Sequence, residues 1–379
     1  MRPIVGLSAN TLSYPQGGGH MWVYLNWALG LRDAGCDVVW LEGVRRENAR
    51  DHAELVANLK ARLAPYGFDD RIALWPEDEV SIACDVGSEC LACDESVSAC
   101  DLLLNLSYGT PDRVVRLARR SALVDIDPGL LQTWVNKGDF PLPHHDIYFT
   151  IGETVGTSEA RFPDLGIRWH YTPPCVSLSR WHTVNVAASA PFTTVSHWAS
   201  NDWLANDAGA LVSNEKRAGY LPFLDLPRRT SQSLELALQM RSREDAADRT
   251  MLLEHGWRLQ DAWSVAAMPW DYQRYVHTSR GEFSCVKPSC VWFQNAWISD
   301  RTLCYLASGK PAVVQHTGPS RFLPDDAGLC RFRDLDEAVH RLENVSENYE
   351  QHCHDARAIA EEHFDARKVA AKVLERALG

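Results

Sequence analysis

Residues 3–42 read PIVGLSANTLSYPQGGGHMWVYLNWALGLRDAGCDVVWLE. The stretch opens on an apolar strand, PIVGLSA, and passes through a loop to three glycines and His20. Residues 21–34 then set Trp22, Leu25 and Leu29 on one stripe of helical period. Gly35 stops that helix, and CDVVWLE is a second apolar strand. Strand, helix and strand in this order predict a parallel βαβ unit.

The same alternation runs outward through the first half. A polar helix over 50–63 and a strand over 71–75 follow. DLLLNLS (101–107) is a buried strand, and Pro111 stands at the first turn of another helix. SALVDIDPG and HDIYFTIGE supply further strands. The alternation breaks near Pro173-Pro174, and residues 176–190 are expected to link two domains, 1–175 and 191–360.

In the second half FTTVS is a strand and a helix is expected from about Ser231. TMLLEHGW reads as a strand, 260–276 mainly as a helix that Pro269 should interrupt, and GEFSCVK as a short strand. SDRTLCYLASGKPAVVQHTG (299–318) has clear grammar: Ser299 as N-cap, a short helix over 302–307, Gly309 as stop, and PAVVQ as strand. The end of the chain is helical, with 361–379 as a final helix.

Composition narrows the functional classes. At 379 residues the length fits two cores. A net charge of −12 speaks against a general nucleic-acid or anionic-membrane surface, which needs clustered Lys and Arg. No membrane span and no signal peptide is read, so a soluble cytoplasmic protein is expected. Among the 11 cysteines, Cys84, Cys90, Cys93 and Cys100 cluster. The Cys90-x2-Cys93 spacing fits half of a zinc knuckle, but no second such pair follows, and ordinary thiols are the plainer reading.

The residues now quoted resemble the GT-B glycosyltransferases in three places. These are the strand, GGGH loop, helix and strand at the start; TPPCVSLSRW, similar to the crossing between domains; and SDRTLCYLASGKPAVVQHTG, similar to the donor-binding helix and following strand. The resemblance implies an α/β fold of two facing Rossmann-like domains with parallel sheets, the C-terminal helix crossing back to the first. It implies transfer of a sugar from a nucleotide sugar to an acceptor in the cleft, without metal or further cofactor; inversion is favoured over retention by the departure from the family's paired glutamates described next. One departure stands out. The family commonly has a ribose-gripping Glu five residues before the Gly of Gly-x-Pro; here that residue is Cys304. A thiol cannot accept paired hydrogen bonds as a carboxylate does.

A donor diphosphate calls for helix N-terminal amides and cations. Ser299, Asp300, Arg301 and Thr302 open the helix expected beneath the phosphates, with Lys287 nearby, the Arg228-Arg229 pair as further cations, and Gly18 and Gly19 letting backbone approach. Glu282, Gln315, His316, Thr317 and Gly318 are expected to meet the sugar. The plain alternatives are a capped surface helix, a strand residue and a polar turn. His20 is the candidate base for the acceptor and Asp127 the next, since a histidine titrates near neutrality. Capping its own helix is the other role open to His20. Asp125 shares a strand face with Asp127; His144-His145 and Glu153 are weaker candidates.

Other classes remain open. A nicotinamide enzyme would use Gly17-Gly18-Gly19 and Glu42, but the glycines stand away from the strand and Trp22 occupies the third-glycine place. A nucleotide-sugar epimerase and a non-catalytic binding module share the same architecture. The acceptor is unidentified, and nucleic acid is disfavoured by charge.

Overall fold

Seven short apolar runs of the first half pair side by side as β1 (Ile4–Ala9), β2 (Asp37–Val44), β3 (Ile72–Pro76), β4 (Leu102–Asn105), β5 (Ser121–Asp125), β6 (Ile147–Thr150) and β7 (Trp169–Tyr171). The computed structural model describes residues 2–44, 52–76, 90–200, 203–205, 211–241 and 243–379. Every pairing in this sheet is parallel, in the order β3-β2-β1-β4-β5-β6-β7. The central strands are buried on both faces, which is why they read as continuous apolar runs rather than alternating ones. The helix Gly18–Asp33 crosses between β1 and β2 and buries Met21, Trp22, Leu25 and Leu29, as its periodicity predicts.

Two compact units divide the chain. The first comprises Met1–Ser158, Phe162–Ser177 and Asp365–Gly379; the second Glu159–Arg161 and Leu178–Phe364. The C-terminal helix Ala366–Leu378 therefore belongs to the first unit, packed on the helix Gly18–Asp33. Gly30 permits that contact, since a Cβ there would stand 2.5 Å from the Ala366 carbonyl oxygen. Val176 pairs with Asp365 where the chain leaves and re-enters this unit. Residues 178–190 group with the second unit, with Val184 N–H donating to Ser308 O (3.2 Å).

The second unit holds β8 (Phe192–His197), an antiparallel pair β9 (Trp203–Ala205) and β10 (Leu211–Ser213), then β11 (Leu234–Gln239), β12 (Arg258–Asp261), β13 (Gly281–Ser284), β14 (Ala312–Gln315) and β15 (Leu329–Phe332). Its main sheet is parallel throughout, ordered β12-β11-β8-β13-β14-β15. In each unit the chain builds outward from its first strand and then returns to the other side. The reversal falls between β1 and β4 in one sheet and between β8 and β13 in the other. These are the switch points beside which open α/β sheets bind ligands, at the carboxyl ends of the strands.

Two local expectations fail. The helix expected from Ser231 is strand β11, because Leu234, Leu236 and Leu238 all enter one apolar core at a period of two. TMLLEHGW is not a strand: most of it ends the helix Ala246–Glu254, with Leu252 its buried anchor. Residues 260–276 are mainly helical with a break at Pro269, as expected: after the end of β12 come the helix Ala262–Ala266 and a second helix, Pro269–Thr278, that Pro269 begins.

Candidate functional site

At the switch point of the second sheet Arg301, Lys216 and Lys287 lie close enough to act on one another, and Arg301 is bonded to Glu282. Arg301 stands in the first turn of the helix Asp300–Ala307. Its Nε donates to Glu282 Oε1 (2.6 Å) and a terminal nitrogen to Val195 O (3.2 Å). Burial opposes the guanidinium charge, and Glu282 together with Tyr220 and Tyr272 more than offsets it, so Arg301 is held charged. Lys216 opens the helix Lys216–Tyr220, and its Nζ donates to Cys285 O (3.1 Å). Gly219 makes that seat possible, because a Cβ there would lie 2.0 Å from Val286 O. Desolvation, then Arg301, lower the Lys216 ammonium to about 8, and Lys287 adds to the repulsion. Two further cations act on Lys216 here, and among the described residues Glu282 is the carboxylate bonded to Arg301. The arrangement can receive an anion with more than one negative charge.

The candidates of this unit divide. Ser299 is the N-cap of the helix Asp300–Ala307, but its hydroxyl makes no capping bond, so the first-turn amides keep donor capacity. Asp300 shares that first turn, while Thr302 is 1% exposed and faces the interior. Glu282 is wholly buried at the second position of β13, opposite Thr193. It reaches Arg301 and no surface, which removes it as a direct sugar contact. Cys304 is equally buried and donates back to Asp300 O (3.4 Å), so its thiol cannot meet a ribose. Lys287 is N-cap to the short helix Pro288–Phe293.

Gln315, His316, Thr317 and Gly318 follow β14 at its carboxyl end and are largely occupied in shaping a turn. Gln315 accepts from Val286 N–H (3.0 Å), tying β14 to the segment after β13. Thr317 donates to Trp297 O (2.6 Å), and His316 Nδ1 accepts from Gly318 N–H (3.1 Å). Gly318 has φ +124°, and a Cβ there would lie 2.5 Å from Gln294 O. Burial lowers the His316 affinity for a proton, so its imidazole is neutral, with Nε2 making no hydrogen bond among the described residues. Arg228 and Arg229 precede β11, at the amino edge, where they pair with Asp225 and Asp336; they are not donor-site cations.

In the first unit the loop after β1 is held tightly. Glu42, 1% exposed, accepts from Thr11 N–H (3.0 and 2.9 Å), Leu12 N–H (3.2 Å) and Trp40 Nε1 (2.9 Å), and from the Thr11 hydroxyl. This carboxylate is spent on the loop, which removes it as the ribose acid of a nicotinamide enzyme. His20 Nε2 bonds the Asn10 carbonyl at 2.7 Å, with Tyr14 and Tyr24 rings 4.7 and 5.3 Å from its own. A carbonyl only accepts, so Nε2 carries a proton, and in the neutral form of the ring the lone pair is on Nδ1. Gly18 and Gly19 form the first turn of the helix that Gly17 caps.

Asp125 ends β5, and Asp127 follows. Both converge on the Tyr108 hydroxyl, at 3.2 and 3.4 Å, which accepts in turn from Ile126 and Asp127 N–H. Desolvation raises Asp125 to about 6 despite bonds from Gln132 and Thr150, with Asp127 pushing it further up. Asp127 is half-buried and the more accessible carboxylate of the two. His145 precedes the amino end of β6, and its side chain reaches Asn105 at the end of β4. Its Nδ1 meets Pro143 O and its Nε2 meets Asn105 Nδ2 (3.1 Å), while desolvation lowers it to about 4, so it stays neutral. His144 is exposed, and Glu153 is buried in the turn after β6.

Cys84 lies outside the described residues. Cys90, Cys93 and Cys100 are free thiols, and burial raises Cys93 to about 11 and Cys100 to about 12. Among the described residues no three His, Cys, Asp or Glu side chains group as a metal requires. No described helix is long and apolar enough to cross a membrane.

Lys216, Tyr108 and the Glu42 clamp were not singled out as site residues from sequence. NEKRAGY looks like an ordinary charged helix start, and only its long-range seat on Cys285 brings Lys216 to the edge. The turn SYGTPD after β4 was the signal available for Tyr108.

No protein-family model matches the sequence, and no curated protein matches it. Solved structures do. HepE from Anabaena, in complex with UDP and glucose, is 12% identical over 99% of both chains, with a TM-score of 0.59. The sucrose-phosphate synthase of Thermosynechococcus elongatus is 13% identical over 99% of this chain and 98% of its own, at 0.54. An alpha-glucosyltransferase, in complex with UDP and a 13-mer DNA, is 11% identical over 100% of both chains, at 0.60. At such identities the likeness establishes the architecture: the chain has the GT-B fold.

Proposed function

We propose, with the GT-B fold as premise, that this chain is a glycosyltransferase that takes a sugar from a nucleoside-diphosphate sugar. The observation that carries the reading is the cation cluster at the switch point of the second sheet. Lys216 and Arg301, with Lys287 near them, stand beside the first turn of the helix Asp300–Ala307, and among the described residues Glu282 is the carboxylate bonded to Arg301. A departing diphosphate gains negative charge as the glycosidic bond breaks, and preorganised cations and amides stabilise that charge most when it develops. These side chains supply the counter-charge, so the reaction is proposed to need no metal. His316 Nε2, at the end of β14, is offered as the hydroxyl contact for the sugar.

On the acceptor side His20 takes the proton. Its Nδ1 lone pair removes the acceptor hydroxyl proton while the oxygen attacks the anomeric carbon and the nucleoside diphosphate leaves from the opposite face. One C–O bond forms and one breaks, with inversion; the proton ends on the imidazole. A base of this kind contributes on the order of 10² to 10⁴ in rate. Asp127 is the base in second place. A uridine nucleotide is the first donor to test, since the HepE and alpha-glucosyltransferase structures were solved with UDP.

The test is incubation of the protein with a panel of UDP-sugars, measuring released UDP with and without candidate acceptors. Acceptor-stimulated UDP release with a new glycoside supports the reading. Interconversion of the sugar without transfer would make the protein an epimerase, and no turnover with any nucleotide sugar would leave a binding module.

A further inference from the structure

The loop between β1 and the helix Gly18–Asp33 contains three glycines, and mobility is the obvious expectation for it. The structure places two fully buried charged side chains on it instead. Glu42, from β2, receives both backbone N–H groups and the hydroxyl of residues 11 and 12. Arg62, 0% exposed at the end of the helix His52–Leu63, donates to Thr11 O (3.1 Å) and Tyr14 O (3.0 Å). Each residue satisfies the polarity the other cannot: the carboxylate takes the amides, the guanidinium takes the carbonyls. Tyr14 O also accepts from Gly17 N–H (2.9 Å), so Arg62 anchors the start of the helix that carries His20. The residue just before this bracketed segment is Asn10, whose carbonyl fixes His20 Nε2.

We propose that Glu42 and Arg62 are positioning residues for His20. By clamping the 11–14 loop from both sides they fix the Asn10 carbonyl, and with it one imidazole tautomer. The catalytic consequence rests on the reading of His20 as base; the positioning itself does not. Burying two charges is costly; here both Glu42 oxygens and both terminal nitrogens of Arg62 are bonded to the loop, while Arg62 Nε has no hydrogen bond among the described residues, and groups held in this way fix one arrangement. Trp40 adds a further polar contact, from the core strand β2, that locks the Glu42 carboxylate in rotation.

The test uses the full chain with 15N-labelled histidine, the His20 signal being assigned by its loss in His20→Gln. Long-range proton–nitrogen correlation is expected to show a single Nε2–H tautomer in the wild type. In Glu42→Gln, whose amide cannot accept as two carboxylate oxygens do, the nitrogen shifts should move toward the average of two tautomers. The Glu42→Gln/Arg62→Met double variant removes both buried charges together and serves if the single variant does not fold; Thr11→Val removes one bond and should move the signal less. Turnover in these variants should fall about tenfold or more with donor KM within about twofold, part of the general-base term being lost. An unchanged His20 signal in every folded variant overturns the proposal. A shifted signal with unaltered turnover upholds the clamp and defeats His20 as base.

Discussion

Replacing Arg301 with alanine removes a candidate phosphate ligand, and it also leaves Glu282 buried without its partner. The carboxylate is 0% exposed, its second oxygen already lacks a hydrogen bond among the described residues, and the guanidinium side chain is 13% exposed. Breaking a buried pair by removing one member costs about 3–5 kcal/mol, most of it the stranded charge. The partial exposure of Arg301 puts the expected loss near the lower end, about 3 kcal/mol. In a unit of this size that is a fall of about 6–12 °C in Tm. Arg301→Ala should therefore appear defective in donor binding partly because its second domain is unstable. Arg301→Met/Glu282→Gln removes both charges and should recover to within about 1 kcal/mol of the wild type. Urea unfolding followed by tryptophan fluorescence, on the wild type, Arg301→Met, Glu282→Gln and the double variant, measures all four corners of the cycle. A loss below about 1 kcal/mol for Arg301→Ala, or a double variant that merely sums the singles, would refute the buried-pair reasoning.

Other outcomes follow from the same geometry. Lys216 titrates at about 8, so its ammonium is lost as pH rises through that value; nucleotide affinity should fall up to about tenfold between pH 7 and 9 and become flat in Lys216→Met. His145 is neutral and buried, with its pKa lowered to about 4. Its stabilising contribution is complete above about 6.5 and is lost as pH falls toward 4, by at most about 3 kcal/mol, which His145→Gln should flatten in acid unfolding curves. Gly30→Ala would drive a methyl into the Ala366 backbone, and limited proteolysis should then release the C-terminal helix, which the wild type protects.

The parallel sheets were legible in the sequence because β1, β2, β4 and β5 are buried on both faces and so read as unbroken apolar runs. SDRTLCYLASGKPAVVQ was legible because its N-cap serine, stop glycine and apolar strand lie in local order. Strand β11 was not, since SLELALQ is built of good helix formers and only its place between β8 and β12 makes it extended. The donor edge was half legible. Ser299 to Arg301 announce a helix start, but Glu282 lies 19 residues from Arg301 and looked like a ligand until its burial beneath that arginine was seen. Lys216 reaches the edge through a carbonyl 69 residues away, a relation no local pattern carries. Glu42 was visible as an acid at the end of a strand; that it holds a loop rather than a ribose is a matter of tertiary geometry alone.

The central claim is that the carboxyl edge of the second sheet binds a nucleoside diphosphate through Lys216 and Arg301. Titration calorimetry of UDP against the wild type and Lys216→Met tests it most directly. Saturable binding that weakens about tenfold or more in the variant, with UMP binding less well than UDP, is the predicted result. Equal affinity of wild type and variant for UDP, or no binding of any nucleoside diphosphate, would contradict the account.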